Sequence, residues 1–207
     1  MDIAKKFGIS RGPVREALKT LAFEDLIDYT PNKGCSVSTL SPTDAYEIFY
    51  MRGSFEKIAL TRSMGMLTDE AIDKMQTALD LMRQANDDTS LSTVVAADEL
   101  FHQQIVELGG MSRLTKMWKM LSPLNGAMFL TVRRAKKLGE DIFNEPSPNP
   151  YVTRSKTSYE THRMILDVLM KEELNESLLC LDAHYARVGE SICRVHLREA
   201  DRQKNQR

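Results

Sequence analysis

The chain has 207 residues, 42% of them hydrophobic, and a formal net charge of −1. That length allows one or two domains with a sizeable core, and the near-zero charge excludes an overall field drawing the chain to nucleic acid, so any basic patch has to be local. The odd set of three cysteines (Cys35, Cys180, Cys193) has no metal or redox spacing and points to a reducing, cytoplasmic setting; no signal peptide is expected, and Pro123, Asn125 and Gly126 interrupt the apolar stretches that could otherwise span a membrane.

In chain order, residues 2–7 read as a short helix stopped by Gly8. Ser10 has the place of an N-cap, Pro13 is tolerated in the first turn, and a second helix runs to about Phe23 with Val14, Leu18 and Leu21 inward. Gly8-Ile9 between two such helices is the turn of a helix-turn-helix. Residues 1–20 carry five basic and two acidic side chains, a net +3. Arg11 and Arg15 lie four apart at the start of the second helix, where they face outward together. They suit entry into a major groove N-terminus first, and equally a solvated basic face. Two short β-like runs then flank Pro31-Asn32-Lys33-Gly34, which makes a hairpin with Lys33 at its tip. A helix-turn-helix followed by a hairpin is a winged helix.

Ser41-Pro42-Thr43-Asp44 starts the next helix, with serine as N-cap, proline in the first position and an acid in the third. It runs to about Met64, and Arg52 and Glu56 fall on its inward stripe between Ile48/Phe49 and Ala59. Either they form an i,i+4 ion pair at a helix seam, or Arg52 faces a cavity and meets an anionic ligand, oriented by Glu56. Thr68-Asp69-Glu70 caps another helix. Residues 90–108 form a further one, ended by Gly109-Gly110, and 112–138 another with a break at Pro123. Gly139 to Thr153, with three prolines, is a loop. Two helices follow, and the chain frays after Arg194, leaving residues 201–207 as a polar tail.

In the 90–108 helix, Asp98 and His102 stand on the apolar stripe where Leu or Val would be expected. Four residues apart, they can reach one small object, and a metal ion removes the difficulty of a buried carboxylate. His162 and His184 lie in the last two helices, symmetric about the break at Lys171–Asn175, so an antiparallel pair brings them level. These four side chains form a candidate divalent-metal site. Its donor set suits zinc, with nickel and manganese as alternatives. Each histidine by itself also fits a hydrogen-bonded core position.

Two stretches carry a family resemblance. The run Ser10-Arg11-Gly12-Pro13-Val14-Arg15-Glu16-Ala17-Leu18, with Leu26 and Pro31-Asn32-Lys33-Gly34-Cys35-Ser36-Val37, resembles the winged helix of the GntR family of bacterial transcription regulators. The resemblance implies operator contacts from Ser10, Arg11 and Arg15, and a wing, with Lys33 and Gly34, reaching the adjacent minor groove. Met51-Arg52 with Glu56, Asp98-x-x-x-His102, Glu160-Thr161-His162 and His184 resemble the FCD ligand-binding domain of the FadR subfamily. That implies a helical bundle around a cavity, a divalent metal on Asp98, His102, His162 and His184, and a small carboxylic acid effector near Arg52. The helical part departs from the family at Gly110-Met111-Ser112, where asparagine is often found before the next helix, and the winged helix departs at two points. The family usually has glycine where Asp25 stands, and it has a further helix ahead of the point where Met1 falls. The second implies a partial, N-terminally truncated winged helix, with apolar surface around Ile3, Phe7 and Leu18 uncovered.

The expected fold is therefore mainly α: a partial winged helix-turn-helix over residues 1–40, then an all-α antiparallel bundle over 41–200. The expected function is a homodimeric DNA-binding regulator, in the sense of a repressor of a metabolic operon. Its partners would be operator DNA and a small organic acid, with no membrane. Two alternatives stand beside it: a sensor or dimer partner that does not bind DNA, and a metalloenzyme using the three-histidine, one-aspartate centre.

Overall fold

A computed structural model describes residues 3–30, 34–85, 90–137, 148–152 and 157–205. The chain separates into two compact units, Met1–Leu40 and Ser41–Arg207.

In the first unit, helix α1 (Ile3–Phe7) leads through Gly8, at φ 65°, into α2 (Arg11–Phe23). A left-handed backbone at Gly8 is what a residue without Cβ supplies, and it sets the turn between the two helices. At the other end of α2, the Leu26 amide donates to the Leu21 carbonyl at 3.0 Å and the Asp25 amide to the Ala22 carbonyl at 3.2 Å. This is a Schellman cap, and its left-handed position is held by Asp25 at φ 55°. Aspartate is one of the few residues besides glycine that visit this region, so the departure from glycine leaves the turn in place. Strands β1 (Ile27–Thr30) and β2 (Gly34–Val37) pair antiparallel from Ile27↔Val37 to Thr30↔Gly34. Among the described residues of this unit Ala4 is buried, while Ile3 and Phe7 are exposed and Leu18 is half-buried.

Among the described residues the regular elements of the second unit are all helices: α3 (Pro42–Arg62), α4 (Asp69–Gln84), α5 (Leu91–Leu108), α6 (Ser112–Met120), α7 (Ser122–Lys137), α8 (Ser158–Leu169) and α9 (Leu174–Asn205). Helix α3 opens on a full capping box. The Asp44 amide donates to Ser41 Oγ at 3.1 Å, the Ser41 amide donates to the Asp44 carboxylate at 2.6 Å, and Pro42 sits in the first turn. Thr68 and Thr157 cap α4 and α8 through their hydroxyls. The expected break in 112–138 falls at Leu121, just before Pro123.

Helix α9 differs from expectation. The polar stretch after Arg194 does not fray but stays helical to Asn205. Arg, Glu, Ala, Gln and Lys in that stretch are strong helix formers, with no Gly or Pro to stop them. The loop expected at Gly139 to Thr153 falls largely outside the described residues, as do the Asn86-Asp87-Asp88 link and the hairpin tip with Lys33.

Helices α3 and α9 run antiparallel: Lys57 pairs with Asp182, Gly53 lies against the Tyr185 ring, and Gly189 packs on Phe49. The core between α3, α4, α5, α8 and α9 is built on Leu60, Met75, Phe101, Ile105, Leu166 and Leu181. Each of these is essentially inaccessible to water, and burying such a side chain contributes roughly 1.5–3 kcal/mol. Into this apolar interior α3, α5, α8 and α9 each deliver polar side chains. No helix among the described residues is long and apolar enough to cross a membrane.

Candidate functional site

Asp98 and His102 sit one turn apart on the buried face of α5, His162 on α8 and His184 on α9, and all four are buried. His102 Nε2 lies 3.1 Å from His162 Nε2. Asp98 Oδ1 is 3.2 Å from His162 Nε2 and 3.9 Å from His102 Nε2. One ring nitrogen from each of His102, His162 and His184 fits within 4.8 Å of the others. Residues separated by up to 86 positions in the chain thus converge on one point, as the symmetry of 162 and 184 about the α8–α9 turn predicts.

What lies behind each imidazole fixes what it presents. His162 Nδ1 is 2.7 Å from the Ser158 carbonyl oxygen, which can only accept, so Nδ1 carries the proton and Nε2 presents a lone pair. His102 Nδ1 is 3.0 Å from Glu56 Oε2, with the same consequence. Two Nε2 atoms so prepared, 3.1 Å apart and beside a carboxylate, require a proton or a cation between them. His184 Nδ1 is buried with no hydrogen-bond partner among the described residues, an orphaned atom of the kind that a metal or ligand satisfies. The donor set, three imidazoles and one carboxylate oxygen with outer partners on two of the rings, fits a divalent ion of the zinc type.

The charges follow from this packing. Burial alone would push the Asp98 carboxyl up, but its close contact with His162 and the nearby His102 and Arg52 outweigh it and hold it below the usual carboxylate range. Burial pulls His102 down, yet the Glu56 carboxylate at its Nδ1 leaves it above an ordinary imidazole. Burial and the neighbouring His102 and His162 hold His184 well below one. His184 therefore resists a proton where His102 favours one.

Arg52 is buried, and its guanidinium carbon lies 4.1 Å over the Trp118 ring. An i,i+4 pair with Glu56 was one reading of the sequence. Arg52 instead pairs with Glu99, Nη1 to Oε1 at 2.9 Å. That contact is close but off the line of a hydrogen bond, and neither Nη1 nor Nη2 has a directed acceptor. Glu56 turns the other way, toward His102, Trp118 and Tyr185.

Six described residues of this network were not singled out from sequence as site residues: Glu99, Trp118, Ser122, Asn125, Ser158 and Tyr185. Asn125 Nδ2 donates to Asp98 Oδ2 at 3.1 Å and to Glu99 Oε1 at 2.7 Å, and Ser122 Oγ donates to Glu99 Oε2 at 2.7 Å. The usable signals were adjacency, Glu99 beside Asp98 and Tyr185 beside His184, and the chain's single tryptophan.

In the first unit, Arg11 and Arg15 are exposed on the first turns of α2, and Ser10 is the N-cap, its hydroxyl capping no backbone amide. Gly34 is exposed at φ 95° where β2 begins.

Comparison with known proteins bears on both units. Residues 1–37 match the model of the bacterial regulatory proteins, gntR family, and residues 47–187 match that of the FCD domain. An HTH-type transcriptional regulator in an unstable DNA locus of Streptomyces ambofaciens is 26% identical over 194 residues, 94% of this chain and 75% of that protein. The gluconate operon transcriptional repressor of Bacillus licheniformis is 29% identical over 134 residues, 65% of this chain and 55% of that protein. Among solved structures, E. coli McbR/YncC superposes with a TM-score of 0.66 at 20% identity, covering 96% of this chain and 85% of that one. This last likeness concerns the fold.

Proposed function

Because this chain belongs to the GntR family of bacterial regulatory proteins, with an FCD domain, and is a DNA-binding transcriptional regulator rather than an enzyme, we propose that it is a repressor of a metabolic operon that senses a small carboxylic acid at a metal centre. Asp98, His102, His162 and His184 hold the ion, zinc before nickel or manganese. Arg52 receives the effector carboxylate. Ser10, Arg11, Arg15, Lys33 and Gly34 meet operator DNA, and two copies of the chain in the cytoplasm engage two half-sites.

One observation supports the sensor half above the rest: two imidazole Nε2 atoms 3.1 Å apart, each with its Nδ1 proton already committed to an acceptor. A bound ion supplies a Lewis-acidic point charge there; the protein's own residues do the selecting. Asp98 and the three imidazoles fix the ion's position, and Arg52 offers N–H groups with no directed acceptor to a planar carboxylate. The surrounding apolar core excludes competing water. For such a ligand to change DNA affinity it has to favour one arrangement of the protein over another. The repressor relative named for the gluconate operon supports a metabolic target.

The test is a gel-shift assay on a DNA site selected from a random library, with and without zinc and a panel of small carboxylic acids. Release by one acid, dependent on metal and abolished in Arg52→Ala, is the expected result. Loss of the shift in Arg11→Ala with Arg15→Ala locates the DNA contact. Absence of operator binding in every state would leave only the sensor.

A further inference from the structure

Glu56 is wholly buried, in the middle of α3. A carboxylate removed from water is costly unless donors surround it, and three do, from three other helices. His102 Nδ1 of α5 is 3.0 Å from Oε2, Trp118 Nε1 of α6 donates to Oε1 at 3.2 Å, and the Tyr185 hydroxyl of α9 donates to the same oxygen. The Tyr185 hydroxyl also lies 3.2 Å from His102 Nδ1.

The geometry points to Glu56 as the positioning residue of the metal centre: it holds the His102 ring in the tautomer whose Nε2 faces Asp98 and His162, and it anchors the indole on which Arg52 rests. This rests on the metal reading above. An ionised carboxylate can only accept, so the hydrogen at its partner belongs to Nδ1 and the lone pair to Nε2. Were His102 free to choose, half of its neutral population or more would turn an N–H toward the other donors and oppose a cation. Trp118 is held by the other oxygen of the same carboxylate, and its ring carries the Arg52 guanidinium at 4.1 Å. One carboxylate thus orients a metal ligand on one side and the platform of the effector-facing arginine on the other.

The experiment uses the full chain. Zinc affinity is measured by competition with a chelator of known affinity in wild type, Glu56→Gln, Glu56→Asp and Trp118→Phe, with circular dichroism as the control for folding. Nitrogen-15 NMR of the histidines reads the His102 tautomer in the metal-free protein. Glu56→Gln is isosteric, but its amide sets N–H groups against the indole or imidazole N–H. Loss of an outer carboxylate partner weakens metal binding by about 10–100-fold, and that range is expected here, together with a loss of the Nδ1–H form of His102. Trp118→Phe, which removes one donor to Glu56 but leaves the His102 contact in place, is expected to weaken zinc binding less than Glu56→Gln does. Unchanged zinc affinity in a folded Glu56→Gln, with the Nδ1–H form retained, would overturn the assignment and leave Glu56 a packing residue. Wild type that binds no zinc, while the tautomer still responds to Glu56→Gln, would instead overturn the metal reading, and with it the role toward an ion.

Discussion

Arg52 and Glu99 meet at 2.9 Å, the arginine almost wholly buried and the glutamate still partly open to solvent. The arginine is held charged against the pull of burial by the Glu99, Asp98 and Glu56 carboxylates around it. Glu99→Gln removes the nearest of these carboxylates and leaves a buried cation less well compensated. A loss of roughly 1–3 kcal/mol in stability is expected, below the figure for a fully buried pair because Glu99 is partly solvated. The same variant should gain more thermal stabilisation than wild type from added carboxylic acids, since the guanidinium has lost its internal competitor. Thermal melting with and without such acids checks both points.

Acid should strip the proposed metal centre, and the sign follows from the side chains assigned to it. His184, with a folded pKa well below the ordinary value, binds fewer protons folded than unfolded, so its contribution to stability is lost as pH falls through the unfolded value near 6.5. His102, shifted upward, acts oppositely: its contribution is present below that value and lost as pH rises through the folded one. Without metal the two oppose each other. With metal, both rings must be neutral to ligate, so every proton competes with the ion. The gain in melting temperature on adding zinc should therefore be present at pH 7.5 and gone by about pH 5, and EDTA should remove it at pH 7.5. Equal zinc stabilisation at both pH values would contradict the ligand set.

A Cβ built on Gly53 would lie 2.8 and 2.9 Å from Tyr185 ring carbons. Gly53→Ala therefore has to displace the ring that donates to Glu56 or push α3 away from α9. A cost of about 1–3 kcal/mol is expected from overpacking, with weaker metal binding as the second consequence. Differential scanning calorimetry and a zinc titration measure the two effects.

In the first unit, Asp25→Gly should stabilise. The left-handed backbone at φ 55° is strained for a residue with a Cβ, and relief of up to about 1 kcal/mol is expected after the entropy that glycine adds to the unfolded chain. Chemical denaturation followed by circular dichroism tests this. No change or a loss would mean that the Asp25 side chain has a compensating partner.

Much of this architecture was legible because its signals are local. Ser41 with Asp44, Gly8 and Pro123 each act within one turn of the chain, so the helix starts and breaks fall where they were expected. The convergence of Asp98 with the three histidines was legible for a rarer reason: an acid and an imidazole on a hydrophobic stripe, and two histidines symmetric about a helix break, encode a long-range contact in short-range spacing. The partners of those side chains carry no such code. Glu56 meets His102 across 46 positions, and on its own helix it is merely four residues from an arginine, which invited an ion pair that Glu99 makes instead. Asn125 looked like an interruption of an apolar run, whereas its amide ties Asp98 to Glu99. The stretch after Arg194 reads as fraying on its polarity, yet its residues are strong helix formers and stay helical to Asn205.

Trp118 is the chain's lone tryptophan. Its indole N–H ends on the carboxylate that backs His102, and its ring lies beneath Arg52. The chain thus carries its own optical probe beside the buried histidine cluster. Ultraviolet emission from the unlabelled protein will read a change at that cluster, the proposed ion and effector included, from a single known position, with no second fluorophore of its kind to dilute the signal.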